Sequence, residues 1–144
     1  MKRILVFVFL VFFLGTFVSA EYAAAADRFV NNKDGTVTDT QTGLMWADSD
    51  NGSDVNWYTA ESYCKGYSGG GKSGWRMPTQ DELAQLYGNG AYGSVIKRTG
   101  WYVWASETRG SELAALFLFN IGIREWAYQY YNSDTRAHPV RLGK

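Results

Sequence analysis

The sequence predicts an α+β domain, and three features carry that prediction. The first is a corner, Gly74-Trp75-Arg76-Met77-Pro78-Thr79-Gln80-Asp81-Glu82-Leu83, where a short extended run turns into a helix. The second is a series of short β-like runs divided by Asp-Gly and other Gly-containing turns. The third is composition: 8 Phe, 10 Tyr, 6 Trp and 16 Gly in 144 residues. That balance suits a loop-rich β or α+β domain better than a helical bundle.

The corner is the most informative stretch. Pro78 fixes its own φ and turns Met77 away from helical angles. Thr79 is placed as a helix N-cap, and Glu82 stands three residues on. Together they predict a capping box, in which hydroxyl and carboxylate each satisfy an orphan backbone N–H. Leu83, Leu86 and Tyr87 give the helix an apolar face, and Gly88 is placed to stop it. Trp75, Arg76, Pro78, Thr79 and Glu82 are therefore read as structural. Arg76 has two readings, a tie from the corner to a carbonyl or carboxylate and a ligand clamp beside Trp75; the tie is favoured.

Residues 1–20 read as a secretory signal. Lys2 and Arg3 precede an apolar run from Ile4 to Phe13, and Val18-Ser19-Ala20 supplies small residues for cleavage. A cut as late as residue 26 also fits. The apolar stretch is about fifteen residues, short of the roughly 20 a spanning helix needs. No stable membrane span is expected after cleavage, and the protein is expected to be exported, to the periplasm or outside. The domain then covers 27–144. Lys+Arg and Asp+Glu are each 14, so loss of Lys2 and Arg3 leaves a mature net charge of about −2, which argues against a general nucleic-acid binder. The mature chain is long enough to bury a core of its own.

The elements follow in order. Arg28 to Asn31 is a short strand, and Asn32-Lys33-Asp34-Gly35 a turn. Thr36 to Thr40 alternates β-branched residues and reads as a half-exposed strand. Gln41-Thr42-Gly43 turns into a more apolar strand, Leu44 to Ala47. Asp48 to Asp54 is a polar loop. Asn56 caps a helix from Trp57 to Gly66, whose buried face is Trp57, Ala60, Tyr63, Cys64 and Tyr67. Ser68 to Gly74 is a Gly-rich, flexible connector to the corner. After an irregular stretch from Asn89 to Gly100, Trp101 to Ala105 is a strand. Leu113 to Asn120 is apolar at both parities, which predicts cover on both faces. Ile121-Gly122 turns it into a partner strand from Ile123 to Tyr131, with Arg124, Trp126, Tyr128 and Tyr130 on one face. Val140 to Leu142 is the last strand.

In this order the chain resembles a known family. The residues that carry the likeness are Asp34-Gly35-Thr36-Val37-Thr38-Asp39, Thr42-Gly43-Leu44-Met45-Trp46, Trp57 with Ala60, Tyr63-Cys64, Trp75-Arg76-Met77-Pro78-Thr79, Glu82-Leu83, Trp104-Ala105-Ser106-Glu107 and Pro139-Val140-Arg141. It is similar to the bacterial domain of unknown function found at the C-terminus of collagen-like adhesins. The resemblance implies a C-type lectin-like fold with two helices, a small mainly antiparallel sheet and long loops. The corner is also similar to one in formylglycine-generating and sulfatase-modifying enzymes. Those enzymes need a cysteine pair, and this chain has only Cys64. It also lacks a collagen-like Gly-x-y run and the Glu-Pro-Asn or Gln-Pro-Asp triplets of calcium-dependent lectins.

Few residues offer reaction chemistry. Cys64 lies on a predicted helix face beside Tyr63 and Tyr67, where a small buried apolar residue is the commoner use, so a buried structural role is expected. His138 has no partner along the chain for a catalytic triad. Asp48, Asp50 and Asp54 place hard oxygen ligands where Ca²⁺ could be wrapped, although the same residues are ordinary turn formers. Gly69-Gly70-Gly71-Lys72 lacks the spacing of a phosphate loop. Binding chemistry is better represented. Arg124, Trp126, Tyr128 and Tyr130, with Arg98, Trp101 and Arg109 from loops expected nearby, combine stacking rings with forked guanidinium donors. The expectation is a non-catalytic, adhesion-type module for an extracellular glycan, a polyanion or a surface protein. The alternative is a structural or self-assembly domain of the cell envelope; an enzyme of the formylglycine-generating type is the weaker third.

Overall fold

The structure is a computed structural model, and it describes residues 28–144. The expected signal segment, residues 1–20 with a cut as late as 26, lies outside the described residues. Among the described residues, two four-stranded sheets and two α-helices make an α+β fold. Sheet one has the order β1-β2-β3-β8, formed by β1 (Phe29–Asn31), β2 (Thr36–Asp39), β3 (Leu44–Ala47) and β8 (Val140–Leu142), all antiparallel. Sheet two has the order β6-β5-β4-β7, from β4 (Tyr102–Arg109), β5 (Leu113–Leu118), β6 (Ile123–Tyr128) and β7 (Thr135–Arg136). Only the β4–β7 pair is parallel. The helices are α1 (Trp57–Gly66) and α2 (Gln80–Gly88). One small sheet was expected; there are two. The arrangement is consistent with a C-type lectin-like fold.

The helix starts follow the caps. Asn56 accepts the Thr59 N–H at 2.9 Å. Thr79 accepts from Glu82, and the Glu82 carboxylate accepts the Thr79 N–H, closing the capping box. Helix α2 runs through Gly88 rather than stopping before it, and Asn89 caps it instead. The left-handed turn falls at Gly90, with φ of 64°.

Strand β5 is covered on both faces, as its apolar parity predicts. Ala115 and Phe117 join Leu83 and Leu86 of α2 and Phe29, Val37 and Trp46 of sheet one in the larger core. Ala114 and Leu116 face the other way, onto Ala60 and Cys64 of α1, with Met77, Trp104 and Ala137.

The corner joins the two sheets. The Arg76 and Val140 backbones exchange two hydrogen bonds of 2.9 Å, adding one bridge to the outer edge of sheet one. The Pro78 carbonyl accepts from Ser106 of β4 at 2.8 Å. The Gln80 N–H donates to the Glu107 carboxylate, and the Gln80 side chain donates to the Leu116 and Glu125 carbonyls. Buried strand carbonyls thus find donors on the helix.

Several boundaries differ from expectation. Strand β2 is not half-exposed: Thr36, Val37 and Asp39 are buried. Their polar groups are satisfied locally, Thr36 by Asp34 and Asn32, and Asp39 by Arg28 and Thr42. Strand β4 extends to Arg109, because its polar half pairs with β5 beyond a register shift between Trp104 and Thr108. Strand β6 ends at Tyr128, whose carbonyl turns back to accept from Tyr131. On α1 only Ala60 and Cys64 are buried, a narrower face than the spacing suggested. The Gly-rich connector contains a short 3₁₀ turn, Gly69–Gly71, packed against Asp34 and Tyr67.

Candidate functional site

The expected binding residues form two separate sites. Trp101 and Arg109 flank opposite ends of β4, roughly 25 Å apart at the usual rise of a strand. Of the three residues expected near the face of Arg124, Trp126, Tyr128 and Tyr130, Arg109 reaches it, over Trp126, whereas Arg98 and Trp101 pair with each other at the other end of β4.

The first site is a cleft of about 440 Å³ that includes Lys97, Arg98 and Trp101 in its lining. The Arg98 guanidinium sits 3.7 Å from the centre of the Trp101 ring, a cation–π geometry. Trp101 is 41% exposed, so its ring remains open to a ligand. Gly93, at φ of 95°, leaves room for Arg98: a β-carbon there would come within 2.9 Å of Nε. Lys97 was not singled out from sequence, although the Lys97-Arg98 dipeptide was the available signal.

The second site is the outer end of sheet two. Arg124, Trp126 and Tyr128 share one face of β6, as period two requires. The Arg109 guanidinium lies 4.0 Å from the Trp126 ring centre. Register explains the approach: Arg109 pairs with Leu113, and Leu113 with Tyr128, two residues from Trp126 on the same face. Tyr130 lies past the strand end rather than on it, yet it stacks on Tyr128 at 5.3 Å with an interplanar angle of 12°. Tyr128 and Tyr130 are exposed, while Trp126 is half-buried against the larger core. Arg124 is engaged by the Asp81 carboxylate at the start of α2. Among the described residues neither Arg98 nor Arg109 is in an ion pair.

The calcium candidate does not assemble. The Asp50 carboxylate accepts from the Thr99 N–H at 2.6 Å and the Thr99 hydroxyl at 2.7 Å. Asp54 pairs with Arg136, which also donates to the Thr99 hydroxyl and carbonyl. Asp48 joins neither set of contacts. Among the described residues no three His, Cys, Asp or Glu side chains gather where they could hold a metal. The three aspartates do not converge because two are used to lock the loop below the Arg98 cleft.

Cys64 and His138 are both fully buried. Burial pushes the Cys64 thiol up to about 12, so it carries no thiolate at neutral pH. Burial holds the His138 imidazole below its ordinary value. Its Nε2 lies 2.9 Å from the Ala47 carbonyl, so Nε2 carries the proton and donates. Its ring packs edge-on against Trp46 and Tyr92.

The expected structural residues hold the corner. Trp75 is buried and donates to the Lys72 carbonyl. Arg76 binds the Glu82 carboxylate with both terminal nitrogens, at 2.9 and 2.7 Å. That contact ties the corner to a carboxylate.

Fold and sites together define a compact α+β module whose surface chemistry is arginine over tryptophan. The chain belongs to the Lcl C-terminal domain family, which matches residues 35–142. The resemblance to a bacterial C-terminal domain of unknown function stands on that match. No curated protein matches the chain. No helix among the described residues is long and apolar enough to cross a membrane.

Proposed function

We propose that the domain is a non-catalytic binding module of an exported, adhesion-type protein, and that its ligand is an extracellular anionic polysaccharide. One observation carries this reading: two partly exposed tryptophans each lie under an arginine that no carboxylate among the described residues engages. A ring stacks on the C–H face of a sugar, and the guanidinium gives forked hydrogen bonds to a sulfate or carboxylate. Two such sites on one module suit a long ligand that touches the surface more than once. The family that the resemblance points to, found at the ends of collagen-like adhesins, agrees with that role, although this sequence carries no collagen-like run of its own. The absence of catalysis is supported by the state of Cys64 and His138, the chain's one cysteine and one histidine, both sealed from solvent.

The test is a titration of the purified protein with dextran sulfate and with uncharged dextran, followed by tryptophan fluorescence at rising salt. Binding of the sulfated polymer alone, weakening with salt, is expected. Equal binding of both polymers, or of neither, sinks the reading. Self-assembly within the cell envelope is the second reading, favoured by the unpaired edge of β6 and the exposed Ile121, Ile123 and Tyr131 beside it. A stable oligomer that ignores the polyanion would establish it.

A further inference from the structure

A second kind of cleft lies at the C-terminal end of α1, away from both arginine–tryptophan pairs. Its volume is about 580 Å³, and its walls include Asp34, Ser62, Tyr63, Tyr67, Ser68 and Gly70. That volume is in the range of small-molecule sites. No lysine or arginine lines it, which separates it from the first cleft.

The walls are held in place. The Tyr67 hydroxyl donates to the Gly35 carbonyl at 2.8 Å, and its ring meets the Trp75 ring edge-on at 4.7 Å. Tyr63 sits 6.2 Å from Tyr67, tilted by 38°, and is 37% exposed. Both rings line the cleft. Asp34 is oriented through Oδ1, which accepts the Thr36 N–H and hydroxyl. Its Oδ2 accepts from no protein donor among the described residues. Gly70, at φ of 64°, leaves that oxygen uncovered: a β-carbon there would come within 2.9 Å of Oδ2. The glycines in this loop thus keep the floor of the cleft as bare backbone beside a carboxylate.

We propose that this cleft is a binding site for an amino sugar, a hexose ring carrying a primary ammonium. The tyrosine rings take the C–H face of the sugar and attract a cation through their π-faces. The free Asp34 oxygen takes the ammonium in a charge-assisted hydrogen bond. Ser62 and Ser68 offer hydroxyls to the ring oxygens. A polyanion is disfavoured here by the same carboxylate, so this site and the arginine sites select opposite charges.

The experiment is NMR shift mapping of the purified protein with a β-1,4-linked glucosamine tetramer, its N-acetylated form, and a glucose tetramer. The glucosamine tetramer is expected to bind in the millimolar range and to shift the amides of Ser68, Gly69 and Gly70. Asp34→Asn keeps the Oδ1 acceptor that orders Thr36 and is expected to weaken binding about tenfold. Tyr63→Ala removes a partly exposed ring and is expected to weaken it by a similar factor, whereas Arg98→Ala is expected to leave it unchanged. No binding by the glucosamine tetramer, or equal binding by the acetylated one, overturns the proposal. So does an Asp34→Asn protein that folds and binds as well as the parent.

Discussion

Arg76 and Glu82 form a two-pronged ion pair, with contacts of 2.9 and 2.7 Å, and the same Glu82 carboxylate accepts the Thr79 N–H at 2.8 Å. One carboxylate thus serves the helix start and the strand-like entry together. Arg76 in turn pairs through its backbone with Val140. Sheet one, the proline corner and α2 are coupled through a single side chain.

Glu82→Gln should therefore destabilise the domain beyond the loss of a helix cap, by roughly 1 to 2 kcal/mol. The amide retains an acceptor for Thr79 but no charge for Arg76. Glu82 carries a pH signature as well. Burial pushes its carboxyl up, but hydrogen bonds from Arg76 and Thr79 overcome that and hold it below its ordinary 4.5. The group binds fewer protons folded than unfolded, so its stabilisation is full above 4.5 and is lost as pH falls through the depressed folded value. Asp39 behaves likewise: burial raises it, and bonds from Arg28, Thr42 and Gln41 bring it below 3.8. Urea melts from neutral to acid pH should show the wild type losing stability in this range, with a shallower loss in Glu82→Gln.

His138 predicts a separate step at milder pH. Its folded value lies below the ordinary 6.5 because burial disfavours the imidazolium. Unfolded chains therefore bind more protons in the window between that depressed value and 6.5. Stability is complete above 6.5 and declines as pH falls through the folded value. His138→Gln places an amide donor near the Ala47 carbonyl without titrating. Its melting temperature is expected to be lower at pH 7 but flat across this window. A wild type equally flat there would show that His138 does not titrate on unfolding.

How much of this was legible in the sequence depended on where the determining contact lay. The starts of α1 and α2 and the bounds of β3 and β8 follow from caps, prolines and turns within a few residues, so they were readable. Strand β7 is two residues, Thr135 and Arg136, and is a strand only because β4 lies beside it. The polar half of β4 was missed for the same reason. At the sites, the residue types were readable and the grouping was not. Arg98 finds Trp101 three positions away, but Arg109 finds Trp126 across β5. The aspartate loop misled because its partners, Thr99 and Arg136, stand 49 and 82 positions from Asp50 and Asp54.

The two arginine–tryptophan pairs predict different mutational outcomes. Arg109→Ala removes an exposed side chain that has no carboxylate partner among the described residues, so stability should stay within about 0.5 kcal/mol. Dextran sulfate affinity should fall and its salt dependence become shallower. Trp126→Ala removes a ring packed on the core and should cost about 2 to 3 kcal/mol. Arg124→Ala breaks only a surface pair and should change stability by less than about 1 kcal/mol. Thermal melts beside fluorescence titrations separate the effects. An Arg109→Ala protein of normal stability and unchanged affinity would remove this face from the binding surface.

Gly100→Ala tests the loop that supports the first cleft. A β-carbon at Gly100 would come within 2.8 Å of Arg136 Cζ and 2.9 Å of its Cγ. Arg136 cannot swing aside freely, because its guanidinium bonds Asp54, the Thr99 hydroxyl and the Thr99 carbonyl, and the residue is buried. The added methyl should therefore cost roughly 1 to 3 kcal/mol, as overpacking does. It should also displace Thr99, and with it the chain that carries Arg98 and Trp101. The expected result is a lower melting temperature together with weakened polyanion binding. Asp54→Asn provides the comparison, since it loosens the same arginine without adding volume. Weakened binding in both variants would identify loop order as the common cause, whereas weakening in Gly100→Ala alone would point to the methyl group's direct intrusion on the cleft.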